Sequence, residues 1–398
     1  MSDKISRSSI QLPSDFFFGE LRPDHKKPAP PAVPPPLGPL AAFHGDFAGN
    51  GFNTIFRPDS LATPTPLPNP VPPPPPPRDN ILELNLTAET LSFSKSLGSV
   101  PNRGTGNQKD AFLNGVPYVQ QINDITIHGE STPIHFEPGL WIHVPATTIP
   151  QLGETVARMA SIPHGTTIEA QGLVQAAQNG PPQIDPLDIT PFKIGTNPPQ
   201  KIKFASQTAA STNTPRIPQD LTSFIAAGTI TQALLDDPNS LLRAHIAKQN
   251  VVNNTAIFIS TAPPPPVGLF GGGTDNIAFL LGAPQNPPPN PNPENANAIQ
   301  MTAVFWIETV EEEIQILLPH HVGGPPVLLK AKPSIPGQRV AQFSVSADHD
   351  LKTGDKIRLR FTQIQYTQTV LLNFAGLTWP HVSLNTLVPA DPIEVFLK

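Results

Sequence analysis

Apolar residues recur at every second position along much of this chain, the period of a half-buried strand. Residues 81–86 (Ile-Leu-Glu-Leu-Asn-Leu) alternate cleanly and 90–97 nearly so, with Thr87-Ala88-Glu89 reading as a turn between them. Strand patterns also cover 42–56, 116–128, 134–144, 155–162, 166–171, 254–261, 276–281, 298–310, 314–318, 327–331, 338–346, 356–374 and 378–387. A helical period appears only over 220–227 and 229–250, where Asp237-Pro238-Asn239-Ser240 supplies a turn and cap. Roughly a dozen strands, one helical interruption and no βαβ alternation predict an all-β fold.

Two stretches say more about the sheet. In 134–144 the even positions are Ile134, Phe136, Leu140, Ile142 and Val144, and the odd ones include His135, Glu137, Trp141 and His143. With the apolar face inside, the ordinary arrangement, both histidines point outward. With the polar face inside, His135 and Glu137 form an acid–base pair. Gly45, Gly49 and Gly51 crowd 42–56, which predicts sharp coiling or close approach of another backbone or a ligand. Barrel closure requires such coiling. Gly49-Asn50-Gly51 lacks the lysine and following helix of a phosphate loop.

Proline changes the picture at the ends and in the loops. The 398 residues include 54 prolines, about three times the usual ~5% share. They divide the chain into a Pro-rich arm (1–40), a first part of the barrel (41–210), a helical and Pro-rich insertion with added strands (211–297) and C-terminal barrel strands (298–398). The arm is either a ligand for a proline-binding domain or a segment that packs on its own chain or a neighbouring subunit, burying Phe16-Phe17-Phe18. The second route gives a homo-oligomer. Two tandem barrels with a boundary near Pro215 are the other architecture open to this pattern.

Charge and cysteine content exclude several classes. Charged residues are 14% and the net charge is −6, with no basic stripe, so nucleic acid is not expected as a partner. There is no cysteine, which removes disulfides, thiolate haem ligation, zinc–cysteine sites and a cysteine nucleophile. No run approaches the ~18 apolar residues of a spanning helix. No apolar segment follows the first residues, so a cytoplasmic protein is expected.

Of the eleven histidines, His25, His245, His320, His321 and His349 read as leader, packing or loop residues. His44, His128, His135, His143, His164 and His381 remain. On a strand through 378–387, Trp379, His381, Ser383 and Asn385 share one face. Pro380 has no amide hydrogen and must sit at an edge, a bulge or a strand's first residue. The expectation is that Pro380 marks the strand entrance and that His381 faces a cavity with Trp379 beside it. No Gly-x-Ser-x-Gly elbow or helical His-x-x-x-His occurs, and Glu311-Glu312-Glu313 reads as a solvated turn.

The segment Leu377-Thr378, Pro380-His381-Val382, Thr386-Leu387 resembles the last strand of nitrobindin and its haem-binding β-barrel relatives, which carries the proximal haem histidine. His44 to Gly51 resembles that family's opening Gly-x-Trp-x-Gly-x-Gly strand, with Phe47 in place of Trp. The stretches 134–141 and 160–169 resemble its middle hairpin. This chain is more than twice the usual length of such a barrel and adds the Pro-rich front and the insertion.

The resemblance implies a single antiparallel up-and-down calycin-like β-barrel holding haem b. His381 would ligate the iron, and His135 would act on the opposite side as the catalytic residue. His164, Phe47 and Trp379 would contact the cofactor. The substrate class it implies is a peroxide or a reactive nitrogen species such as peroxynitrite or nitric oxide. A carrier of an apolar ligand and a self-assembling structural protein are the other readings.

Overall fold

A computed structural model describes residues 33–59, 80–104, 107, 109–149, 151–262, 273–276 and 296–398. The Phe16–Phe18 arm and the prolines of 284–293 lie outside the described residues. Ten strands, taken in chain order, form a closed antiparallel barrel. They are β1 (Gly45–Arg57), β2 (Ile81–Phe93), β3 (Ala111–Asp124), β4 (Thr132–Val144), β5 (Thr155–Ser161), β6 (Thr166–Val174), β7 (Asn250–Ser260), β8 (Asn297–Gln315), β9 (Lys356–Phe374) and β10 (Leu377–Pro389). Each pairs with the next, and β1 closes the ring on β10 from Phe47↔Pro389 to Thr54↔Val382. The expected single up-and-down barrel is therefore the fold, and tandem barrels are not.

Closure explains the glycines of β1. A Cβ at Gly49 would lie 1.9 Å from the Thr386 carbonyl oxygen, and one at Gly51 would lie 2.0 Å from that of Leu384. The close neighbour is the backbone of β10, drawn in by the coiling of the wall.

The wall has two differently covered sides. Strands leave the barrel at Val174 and return at Asn250, and the insertion between them carries helices α1 (Thr222–Ala227), α2 (Gln232–Asp236) and α3 (Ser240–Ile246). It packs on the outer face of β9, β10, β1 and β2. Gln365 donates to the Leu242 carbonyl, Thr367 Oγ1 lies 2.6 Å from Asn239 Oδ1, and Phe204 packs against Phe56. Phe52, Phe56, Leu84 and Leu384 are buried there as a result. The far side, β3 to β7, leaves Val119, Phe136, Met159, Leu173 and Phe258 exposed.

Several local readings are corrected. Residues 81–93 form one strand with no turn at Thr87-Ala88-Glu89. The patterns at 298–310 and 314–318 are one strand, because Glu311 and Glu313 pair across the ladder with Arg360 and Lys356 instead of turning into solvent. The 229–250 helix is two short helices split at Asp237. Pro380 is not the strand entrance but its fourth residue. The β1 ladder stops at Val382, and Phe192 of the insertion takes over at Thr378. Pro380 thus occupies the gap between two partners on that edge, where no amide hydrogen is needed.

Candidate functional site

The contents of the lumen come from side chains that meet across non-neighbouring strands. Arg158 on β5 reaches Gln368 on β9, and Trp141 on β4 packs edge-on against Phe305 on β8. These contacts fix the inward faces. On β4 the inward face is the odd one. His135 and Glu137 point into the barrel, and Phe136 points out, 47% exposed. The polar face is thus inside, against the ordinary rule, and it is neutralised by partners from other strands.

Three layers fill the lumen. At one end lie Phe43, Phe47, Phe93, Trp141 and Phe305, in stacked and edge contacts. In the middle, Arg158 forms an ion pair with Glu137, donates to Tyr118 and Gln368, and lies over the rings of Tyr118, Trp141 and Phe305. Tyr118 donates its hydroxyl to Glu137. Gln120 and Tyr366 hold Glu89. Burial opposes charge on Glu137, but Arg158, His135 and Tyr118 outweigh it and bring its pKa down to about 2. Burial dominates at Glu89 and raises it to about 7, against the hydrogen bonds of Tyr366 and Gln120.

The third layer contains His381. Asn53 Nδ2 donates to His381 Nε2 at 3.0 Å and to Ser383 Oγ at 2.7 Å, and Asn85 donates to Asn53. Asn53 is the only hydrogen-bond partner of His381 among the described residues. Burial, with the charges of His135 and His164, lowers the His381 pKa to about 4, so the ring is neutral above that pH. Inward positions here (Ile55, Asn85, Ser383, His381) keep partial accessibility, whereas Phe47, Leu91, Phe93 and Trp141 at the other end are sealed. The His381 end of the lumen is the less tightly sealed of the two.

The structure gathers some of the predicted site residues and separates others. His135 and His164 meet edge to face, 5.2 Å between ring centres, close enough to His381 to affect its charge. His135 Nε2 is 3.1 Å from Glu137 Oε2. Phe47 is six residues along β1 from Asn53, roughly 20 Å at strand rise, and lies in the sealed layer. Trp379 stacks on Phe374 at 4.7 Å, packs on Phe56 and Phe204, and donates its indole N–H to the Phe374 carbonyl. It belongs to a closed aromatic cluster rather than to the surface beside His381. Sequence reasoning missed Arg158, Gln120, Gln368, Glu89 and both tyrosines. Their only signal was polar residues at alternate positions of otherwise apolar strands.

Among the described residues no group of three histidine or acidic side chains is placed to hold a metal ion. No helix of the described residues is long and apolar enough to cross a membrane. No family model, curated protein or solved structure matches the chain.

Proposed function

We propose that this barrel binds haem at the His381 end of its lumen, through that imidazole, and acts on a small oxidant, a peroxide or a reactive nitrogen species. The observation that carries the reading is the His381 imidazole: neutral, inward-facing, on the closing strand at the less tightly sealed end of the lumen. The donor set fits such a group, because haem iron is commonly held by a neutral imidazole positioned by packing and a hydrogen-bonded neighbour. Nε2 carries the lone pair that now accepts from Asn53. The resemblance of this strand to the nitrobindin-type haem barrels points the same way.

The bound group would supply iron able to bind and reduce the oxidant. The chain's own part is acid–base and positional. His135, held by Glu137, and His164, exposed beside it, can exchange protons with a bound molecule and with solvent. Asn53 and Ser383 offer neutral hydrogen-bonding groups. The Arg158 layer and the aromatic layer occupy the rest of the lumen. An extended apolar ligand along the barrel axis, the carrier reading, would have to displace those layers.

Absorption spectroscopy tests the proposal. The purified chain, or the chain after addition of haemin, is expected to show the sharp Soret band of a His-ligated haem at one equivalent, lost in His381→Ala and retained in His143→Ala. A titration without a saturating one-to-one step, or an unchanged band in His381→Ala, would refute it.

A further inference from the structure

The chain contains two tyrosines, Tyr118 and Tyr366. Both are buried in the middle layer of the lumen, and each donates its phenol to a different, fully enclosed carboxylate. Their electrostatic settings differ. The Tyr118 oxygen receives Arg158 Nε at 2.7 Å, and the guanidinium lies over its ring at 5.4 Å. A fixed cation at that range opposes removal of an electron from the ring. Tyr366 donates to Glu89 Oε2 at 2.6 Å and receives only the neutral amide of Gln120, at 3.0 Å. Its ring stacks on Phe305, 5.1 Å between centres. A phenylalanine at 366 would keep that stacking, so the phenol and Glu89 contribute something other than packing.

We propose that Tyr366 is a one-electron donor whose phenolic proton is taken by Glu89. Oxidation removes one electron from the ring, the O–H bond breaks, and the proton passes to Glu89 Oε2. A neutral tyrosyl radical and a protonated carboxyl remain. In turnover the electron would go to a peroxide-derived one-electron oxidant at the His381 end of the lumen. This role in turnover rests on the haem reading; the redox chemistry of the pair does not.

Geometry suits the transfer. Tyr366 and Val370 are four residues apart on β9, and Val370 pairs with His381. That spacing is roughly 13 Å at strand rise. The groups facing Glu89 are Tyr366 and Gln120 in contact, with Arg158 and Glu137 beyond. A carboxyl titrating near neutrality is a better proton acceptor than the Arg158-bound Glu137.

The test uses the full chain without haem, oxidised by a photogenerated ruthenium(III) complex and frozen for electron paramagnetic resonance. A tyrosyl signal is expected in the wild type and in Tyr118→Phe, and its loss in Tyr366→Phe. Its yield should rise with pH as Glu89 ionises, and Glu89→Gln, which can still accept the phenol's hydrogen bond but not its proton, should lower the yield and flatten that profile. No tyrosyl signal in the wild type, a signal surviving in Tyr366→Phe, or one lost in Tyr118→Phe would overturn the assignment. So would an unaltered yield in Glu89→Gln, which covers the case of a Phe variant that fails to fold. Absence of a Soret band would remove the haem reading and leave this result standing.

Discussion

At the scale of single residues, the barrel's middle is held by charge placed where charge is expensive. Arg158 and Glu137 are both buried, and each is tolerable only because the other is present. Removing one partner of such a pair leaves an uncompensated buried charge and typically costs about 3–5 kcal/mol, whereas replacing both by apolar groups is often close to neutral. Arg158→Met alone should therefore lower the urea midpoint severely. Arg158→Met with Glu137→Leu should recover most of the loss. Equal stability of the single and double variants would show that the pair is not what holds this layer. Sequence alone offers Glu137 as a partner for His135, but it does not pair Glu137 with Arg158. Arg158 follows Ala157 in a short strand, and the nearest acidic residue in the chain, Glu154, pairs with His143 instead; Glu137 is 21 residues away and faces Arg158 only once β4 and β5 pair.

At the scale of elements, the faces of the strands carry the explanation of what was legible. The alternation in β2 places Leu82, Leu84 and Leu86 at even positions and Leu91 and Phe93 at odd ones. The phase changes without a turn. The even face of the lower half is covered by the insertion, and the odd face of the upper half meets the aromatic layer. A single-period rule reads that change as a break. The buried face of β9 also changes, from odd positions over Leu359–Thr367 to even ones over Ile364–Phe374. Both of its faces are buried over 363–368, so the apolar and β-branched run reads as one strand to its last residue. The hairpin around Pro163-His164-Gly165 is legible for a different reason, since its turn residues are local.

The outer face of β8 supports a pH prediction. Glu308 lies buried beneath the insertion, bonded to Gln363, which in turn pairs with Gln249 at the insertion's end. Burial raises its pKa to about 8, against the Gln363 hydrogen bond. Below pH 4.5 the carboxyl is neutral in both folded and unfolded chains. As pH rises the unfolded chain ionises first, so the folded state loses stability until about pH 8 and no further. At ~1.4 kcal/mol per pKa unit, the loss is bounded at roughly 4–5 kcal/mol. Glu308→Gln should match the wild type in urea at pH 4 and exceed it increasingly toward pH 8. A constant difference across that range would mean that Glu308 is not titrating beneath the insertion.

For the whole molecule, the asymmetry of the wall decides whether the barrel can stand alone. An insertion between two strands of a closed ring could be an ornament, yet the outer face beneath this one is not a solvent face. Phe52, Phe56, Leu82, Leu84, Val382 and Leu384 have essentially no exposure. At ~1.5–3 kcal/mol for each large apolar side chain buried, uncovering six of them forfeits on the order of 10 kcal/mol. That is comparable with the total stability of a typical domain, about 5–15 kcal/mol. The insertion also completes two ladders, through Phe192 beside β10 and Arg216 beside β2. A chain in which a flexible Gly/Ser linker replaces residues 175–249 should therefore not give a monomeric barrel. It should bind a hydrophobic dye, lose its near-ultraviolet circular dichroism and elute as aggregate. The exposed residues on β3 to β7 give no such sensitivity, and Phe136→Ser should leave the fold and its thermal midpoint nearly unchanged. A soluble monomer with native circular dichroism after removal of 175–249 would show that the ten strands are self-sufficient and that the insertion only shields them.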